Sequence, residues 1–183
     1  MNSIYSIKMS ISRMESSGNK VRTKSSYHML NNCWTLWAHL PTVSDWSLKS
    51  YIPIMDIDSV EKLLSLNGII EDKVITNCML FLMKNKIKPL WEDPRNKQGG
   101  SISFKVSNSD VVAVWKKLSM LVCGETISTC DGFINDITGL TISPKKSFCI
   151  IKIWLETTKF EDNISIVDID GIKKDEYIFK KHL

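Results

Sequence analysis

Six tryptophans, a glutamate directly after one of them and two adjacent lysines are the side chains of this 183-residue chain whose types and spacing could do chemistry. Trp46 lies in a turn segment, Pro41-Thr-Val-Ser-Asp-Trp-Ser47, where no periodicity requires a buried aromatic. Trp91 lies in Lys88-Pro-Leu-Trp-Glu-Asp-Pro-Arg-Asn-Lys-Gln-Gly-Gly100, a loop bracketed by prolines and closed by two glycines. An indole in such a loop either folds back on its own domain or serves as a stacking platform for a planar ligand. Glu92 sharpens the second reading. A carboxylate beside a stacking indole can accept two hydrogen bonds from the Watson–Crick edge of a guanine, whose N1 and exocyclic amine are both donors. Methylation at N7 makes that base cationic, so the carboxylate would also neutralise it and the indole faces would gain cation–π attraction. A polyphosphate on the same ligand needs cations, and Lys145-Lys146 precede the strand that ends in Trp154.

Each of these signals is weak alone. A Trp-Glu pair is common, and two lysines in a turn are usually solvated charge. Trp34 and Trp115 lie on the apolar sides of their elements and are expected in the core, with Trp37 structural as well. Catalysis finds little support: His28, His39 and His182 are scattered, no nucleophile and base pair stands out, and neither a phosphate-binding loop nor GxGxxG occurs. No catalytic residue is therefore expected. The acidic clusters Asp56-Ile-Asp58 and Asp168-Ile-Asp-Gly171 read more simply as helix cap and turn than as a cation site. Asn163-Ile-Ser165 matches a glycosylation sequon, yet nothing else is secretory.

Positioning such residues requires a folded body, and from His28 onward short apolar runs separated by polar punctuation supply one. Cys33 to Leu40, Ile102 to Val106, Ile137 to Ile142 and Phe148 to Leu155 are β-branched or aromatic enough for strands. A helix is expected from Asp58, with Glu61 completing a capping box and Val60, Leu63 and Leu64 on it. A second carries Val111, Val114, Trp115, Leu118, Leu121 and Val122 at i, i+3, i+4, i+7 spacing, capped by Asn108 or Ser109 and ended by Gly124, with Lys116 and Lys117 on its other face. A third, weaker one falls around Glu71 to Asn77. One α+β domain follows, an antiparallel sheet covered on one face by helices with the other face free to bind.

Composition sets the outer bounds. The chain is 43% hydrophobic and 24% charged, which excludes collagen, coiled coil and wholly disordered classes. No apolar run approaches a membrane span, since Phe148 to Leu155 already contains Lys152. Of the net +4, all comes from residues 1–27, where Lys8, Arg13, Lys20, Arg22 and Lys24 face only Glu15. That segment is expected to be a solvated tail, although Ile4, Ile7, Ile11 and Met14 at helical spacing also admit a docking helix or a targeting presequence. The body, residues 28–183, is neutral, so its pI does not argue for a broad nucleic-acid surface. Five Cys without a CxxC, set among apolar neighbours, imply a reducing, cytoplasmic compartment and no zinc or other metal. Lys outnumbers Arg 21 to 3, the mark of an AT-rich coding sequence.

These residues together resemble the eukaryotic translation initiation factor 4E family, which binds the 7-methylguanosine cap of mRNA. The resemblance runs from His28 through Asn31-Asn-Cys-Trp-Thr-Leu-Trp37, Trp46, Pro89-Leu-Trp-Glu-Asp93 with Asn96-Lys-Gln-Gly-Gly100, Trp115 followed by Gly124-Glu125, and Ile151-Lys-Ile-Trp154. It implies a single domain with a curved antiparallel sheet, helices on its convex back, and a cap slot on its concave side. By that likeness Trp46 and Trp91 would sandwich the methylated guanine and Glu92 would hold its N1 and N2 donors. The Trp91 amide would contact O6 and Trp154 would pack near the N7-methyl group. Lys145 would stand for the family's main phosphate-binding Arg, with Lys146 or Lys152 as substitutes for a second. No cofactor is implied beyond the cap ligand itself, as in 7-methyl-GTP.

The same likeness implies a protein partner on the convex face, a scaffold of the initiation complex or a repressor, with His28, Val60, Leu64, Trp115, Lys116 and Lys117 as the contact residues. Departures are concentrated there: Leu64 replaces a usual Trp, and Lys116-Lys117 replaces a Leu-Glu pair. Loss of an aromatic anchor and reversal of a charge predict a changed, more acidic partner. Ser101-Ile102 stands where an Arg-Trp pair usually follows the double glycine, and the C-terminal region is shorter. The expected protein is a monomeric, divergent, viral-type member acting in translation initiation. The competing readings are a cap-sequestering repressor and a general RNA-binding or nucleotide-binding module without cap specificity.

Overall fold

The computed structural model describes residues 27–162 and 164–182. The expected N-terminal tail, apart from Tyr27, and Asn163 of the sequon lie outside the described residues. Seven strands, β1 (Met29–His39), β2 (Tyr51–Ser59), β3 (Met79–Lys84), β4 (Gly100–Ser107), β5 (Ile137–Pro144), β6 (Phe148–Leu155) and β7 (Ile178–Lys181), form one sheet in the order β2-β1-β3-β5-β6-β4-β7. Every pairing is antiparallel. The sheet is curved and open, with β2 and β7 at its edges. Among the described residues five α-helices interrupt the strands: α1 (Val60–Ile69), α2 (Asp72–Asn77), α3 (Pro94–Lys97), α4 (Val111–Cys123) and α5 (Asp131–Asp136).

Strand alternation decides which side is which. Trp34, Leu36, Ala38, Leu80, Leu82, Ile102, Phe104, Val106, Ile151 and Ile153 all enter the main core, where Leu63 and Leu66 of α1 and Val114, Trp115, Leu118 and Val122 of α4 cover them. Each such large side chain contributes roughly 1.5–3 kcal/mol by leaving water, so this helical face carries most of the stability. The opposite pleats build a second, smaller cluster of Tyr51, Phe81, Met83, Ile87 and Trp154, with Trp37, Met79 and Leu90 against it. One side of the sheet is therefore a core and the other a half-covered aromatic floor.

Strand ends and caps differ in detail from the sequence expectation. The first strand begins at Met29 rather than Cys33, because His28 is tied to α1: its backbone N–H donates to Glu61 and the Val60 N–H donates to the His28 carbonyl. Glu61 is thereby taken from the expected capping box, and the cap is Ser59, whose Oγ accepts the Lys62 N–H at 3.4 Å. Asp58 pairs instead with Lys62 Nζ at 2.9 Å, and Asp56 accepts the Thr35 hydroxyl at 2.7 Å. Asp110, not Asn108 or Ser109, precedes α4, held by its N–H to Ser107 Oγ, while Gly124 ends the helix as expected. The weak helix at residues 71–77 is present as α2.

Three strands carried no usable periodicity. In β3, Met79-Leu-Phe-Leu-Met-Lys84 reads as an unbroken apolar run because both of its faces are covered. β2 holds Pro53, which is tolerated because β2 is an edge strand. β7 is four residues long and mostly exposed.

The double glycine has a steric reason. A Cβ on Gly99 would collide with the Leu155 and Glu156 backbone, and one on Gly100 would stand 2.5 Å from the Phe179 ring and 2.8 Å from the Lys180 carbonyl. Only glycine lets β4 enter between β6 and β7 at this closeness. The five thiols are free; Cys78, Cys123 and Cys149 are buried, and burial raises the pKa of each. Among the described residues no helix is long and apolar enough to cross a membrane, and no group of His, Cys, Asp or Glu could hold a metal ion.

Candidate functional site

A slot of about 440 Å³ opens on the aromatic side of the sheet, and Trp46, Trp91, Glu92, Trp154 and Lys152 all line it. Residues from three separate stretches of sequence thus meet around one cavity.

Trp46 is 54% exposed and is held from behind rather than from the slot. Its ring stacks on His39 with centroids 4.3 Å apart and planes within 1°. His39 ends β1, is 1% exposed, and donates through Nε2 to the Asp45 carbonyl at 2.8 Å. The Asp45 carboxylate accepts the Ser47 N–H and hydroxyl, both at 2.8 Å, and these bonds hold its pKa below the usual carboxylate range. The loop is closed on itself by short-range bonds, so one indole face is covered and the other is available for stacking.

Trp91 is 45% exposed on a loop that is laced from beneath. Asp93 accepts the Lys88 N–H at 2.9 Å and, as the cap of α3, the Arg95 N–H at 3.0 Å. The buried Asn96 amide donates to the Lys88 and Leu90 carbonyls at 3.2 and 2.8 Å. Arg95 then forks onto Glu156 at the end of β6. That contact raises the Arg95 pKa and lowers that of Glu156. These bonds explain Asp93 and Asn96, with Pro94 opening α3, as scaffolding for Trp91 and Glu92. The Glu92 carboxylate is exposed and has no hydrogen-bond partner among the described residues.

Trp154, 8% exposed, forms part of the slot wall and anchors its Nε1–H on Thr141 Oγ1 at 3.1 Å. Next to it is His182, ring centroids 4.8 Å apart, whose Nδ1–H donates to the Asn96 carbonyl at 2.8 Å. Burial first, then Lys152 and Lys180, lowers the His182 pKa, so it stands neutral at pH 7. Tyr51 packs edge-on against Phe81, and burial, with a smaller contribution from the Glu92 charge, pushes its hydroxyl up to about 12. The Lys145 and Lys146 side chains do not line the slot: both are exposed on the turn joining β5 and β6, closed by the Lys145 N–H on the Phe148 carbonyl at 2.8 Å. Lys152 is on the floor itself.

Sequence reasoning missed His39, Tyr51, Lys180, Lys181 and His182, all of which line or back the slot. For His39 a signal existed, since it alternates with Trp37 on β1. For β7 there was none, because a four-residue edge strand has no periodicity to read.

The family model for eukaryotic initiation factor 4E matches residues 29–176. The chain belongs to the eukaryotic initiation factor 4E family. It is 31% identical over 139 residues to the eukaryotic translation initiation factor 4E of Eremothecium gossypii, an alignment spanning 72% of this chain and 64% of that protein. Among solved structures, the C. elegans eIF4E-3 complex with the 4E-binding protein Mextli and a cap analog superposes with a TM-score of 0.66 at 26% identity, covering 75% of this chain and 79% of that one. A schistosome eIF4E complexed with m7GpppG and 4E-BP gives 0.67 at 25% identity, covering 75% of this chain and 77% of that one.

On the convex side of this initiation factor 4E fold, Leu64 and Val60 of α1 are 55% and 37% exposed. His28 Nδ1 contacts Glu61 Oε1 at 2.7 Å, a bond that lowers the Glu61 pKa. Lys116 reaches Asp72 at 3.6 Å, and Lys117 projects into solvent. Trp115 is only 2% exposed, so it supports this surface from the core and offers almost nothing to a partner's side chains. Its expected role as a contact residue is corrected by that burial.

Proposed function

We propose that this chain binds the 5′ 7-methylguanosine cap of mRNA and acts in translation initiation, with Trp46 and Trp91 stacking the methylated base. The observation that carries the reading is the pairing of two half-exposed, separately buttressed indoles with an unpartnered carboxylate on one slot. Glu92 takes the guanine N1 and N2 donors, Trp154 lies against the N7-methyl group, and cations around the slot take the phosphates. Stacking at about 1–3 kcal/mol and charge-assisted hydrogen bonds at about 1.5–3 kcal/mol are together enough for micromolar affinity. Binding needs no catalytic group, and the site's chemistry is that of recognition. Support comes from family membership and from the cap-bound state of the two solved relatives.

A protein partner docks on the convex face over His28, Val60 and Leu64, with Lys116 and Lys117 favouring acidic groups on it. The binding unit is residues 28–183, working in the cytoplasm as a monomer. Retention of the chain on 7-methyl-GTP resin, with release by free 7-methyl-GTP but not by GTP, tests the cap reading. Equal release by both nucleotides would make the chain a general nucleotide binder. Co-retention of a peptide carrying Tyr-x-x-x-x-Leu-Φ separates an ordinary recruiter, which keeps it, from a cap-sequestering repressor, which does not.

A further inference from the structure

We propose that Lys152 and Lys180 form the principal phosphate clamp of the slot, a polyphosphate subsite on the sheet floor next to Trp154. The proposal rests on the cap reading for where the base sits. It concerns what holds the phosphates.

The strand register builds the clamp. Ser101 of β4 pairs with Trp154 of β6 on one side and with Lys180 of β7 on the other. Trp154, Ser101 and Lys180 therefore form one row across three strands, and all three line the slot. Lys152 is one pleat from Trp154 on the same face, paired with Thr141 and Ser103 in the next row. The close entry of β4 that the Gly99-Gly100 pair permits is what brings β7, and so Lys180, to the floor.

Charge accounting then separates the cations. Lys181 also lines the slot but is paired with Glu161 at 2.9 Å, and Arg95 nearby is committed to Glu156. Lys152 and Lys180 have no carboxylate partner among the described residues. Burial lowers the Lys152 pKa, and Lys180 and then Lys145 lower it further by repulsion. Grouping unpaired cations on a half-buried floor costs stability, and a bound polyanion removes that cost. Lys145 and Lys146, the pair that chain position alone favours, are instead solvated on the β5–β6 turn.

The test is a matched titration of 7-methylguanosine, 7-methyl-GMP, 7-methyl-GTP and GTP against the wild type, Lys180→Ala, Lys152→Gln, Lys145→Ala and Trp91→Ala. Lys173→Ala, at a residue outside the slot paired with Glu176, controls for lost net charge. Lys180 is exposed, so its removal does not threaten the fold. Lys180→Ala and Lys152→Gln are expected to weaken 7-methyl-GTP about tenfold each and to flatten its salt dependence while leaving the nucleoside unchanged. Trp91→Ala is expected to weaken all the methylated ligands alike. Wild-type affinity for 7-methyl-GTP in both lysine variants, or a larger loss in Lys145→Ala than in either, overturns the clamp. Failure of the cap reading looks different: the wild type would bind GTP as well as 7-methyl-GTP. A loss for both triphosphates in Lys180→Ala would then still support the clamp.

Discussion

The two faces of one sheet have been treated differently by the sequence. On the slot side, the Trp46 and Trp91 loops are each held by their own bonds, through His39 and Asp45 in one and Asp93 and Asn96 in the other, while the Glu92 carboxylate is left exposed. On the helical side, the buried layer is complete while Leu64 and Val60 stand exposed at its rim and Lys117 projects into solvent. Core and ligand site are constrained by geometry. A partner surface is constrained only by whichever partner is present. The contrast is between a slot whose Trp46 and Trp91 loops are each held by their own bonds and a helical rim where Leu64 and Val60 stand exposed.

The largest expected effect separates core from surface on the helical side. Trp115→Ala leaves a cavity in the layer over the sheet and should cost about 3–5 kcal/mol of stability, measured by denaturant unfolding. Its folded fraction should bind 7-methyl-GTP as the wild type does. Unchanged stability would mean that Trp115 is not part of the core.

On the slot side the pattern reverses. Glu92→Gln should weaken 7-methyl-GTP about ten- to a hundredfold by removing a charge-assisted acceptor, with the unfolding midpoint unmoved because Glu92 is exposed and unpartnered. A variant that binds normally would remove Glu92 from the site.

A smaller effect tests the partner surface. Leu64→Trp combined with Lys117→Glu should raise affinity for a Tyr-x-x-x-x-Leu-Φ peptide about tenfold, by restoring an aromatic anchor and reversing a charge. Calorimetry would read it, and cap affinity should not move. No gain would place the departures in a surface this peptide does not touch.

The smallest effect is on pH. The folded-state pKa of His182 lies below its ordinary 6.5, so the unfolded chain takes up a proton first as pH falls. Its stabilising contribution is full above about 6.5 and is lost as pH drops from there toward the folded value. Melting temperature should fall over that window, and His182→Gln should flatten the slope. An unchanged slope would assign the window to other groups.

Legibility followed the same division. β6 and the amphipathic α4 were readable because their side chains alternate or recur at the helical period against a single core. β3 was not, since covering both faces erases alternation, and β7 was too short to show any. Within the slot, Trp46 and Trp91 stood out as aromatics with no local reason for their positions and Glu92 as the acid beside one of them, while Trp154, inside an expected strand, was picked out only by the resemblance to the family. His39 and Lys180 did not, because their roles arise from stacking and cross-strand register, which are properties of chain pairing rather than of neighbouring residues. The Glu61 capping box failed for a similar reason: a partner 33 residues away, His28, competed for the same carboxylate.

Whether the slot reads the methylated base is decided by quenching of tryptophan fluorescence on titration with 7-methyl-GTP and, separately, with GTP. Strong quenching and a marked preference for the methylated nucleotide are expected, both lost in Trp91→Ala. Equal affinity for the two nucleotides, or full binding by Trp91→Ala, would contradict the cap reading.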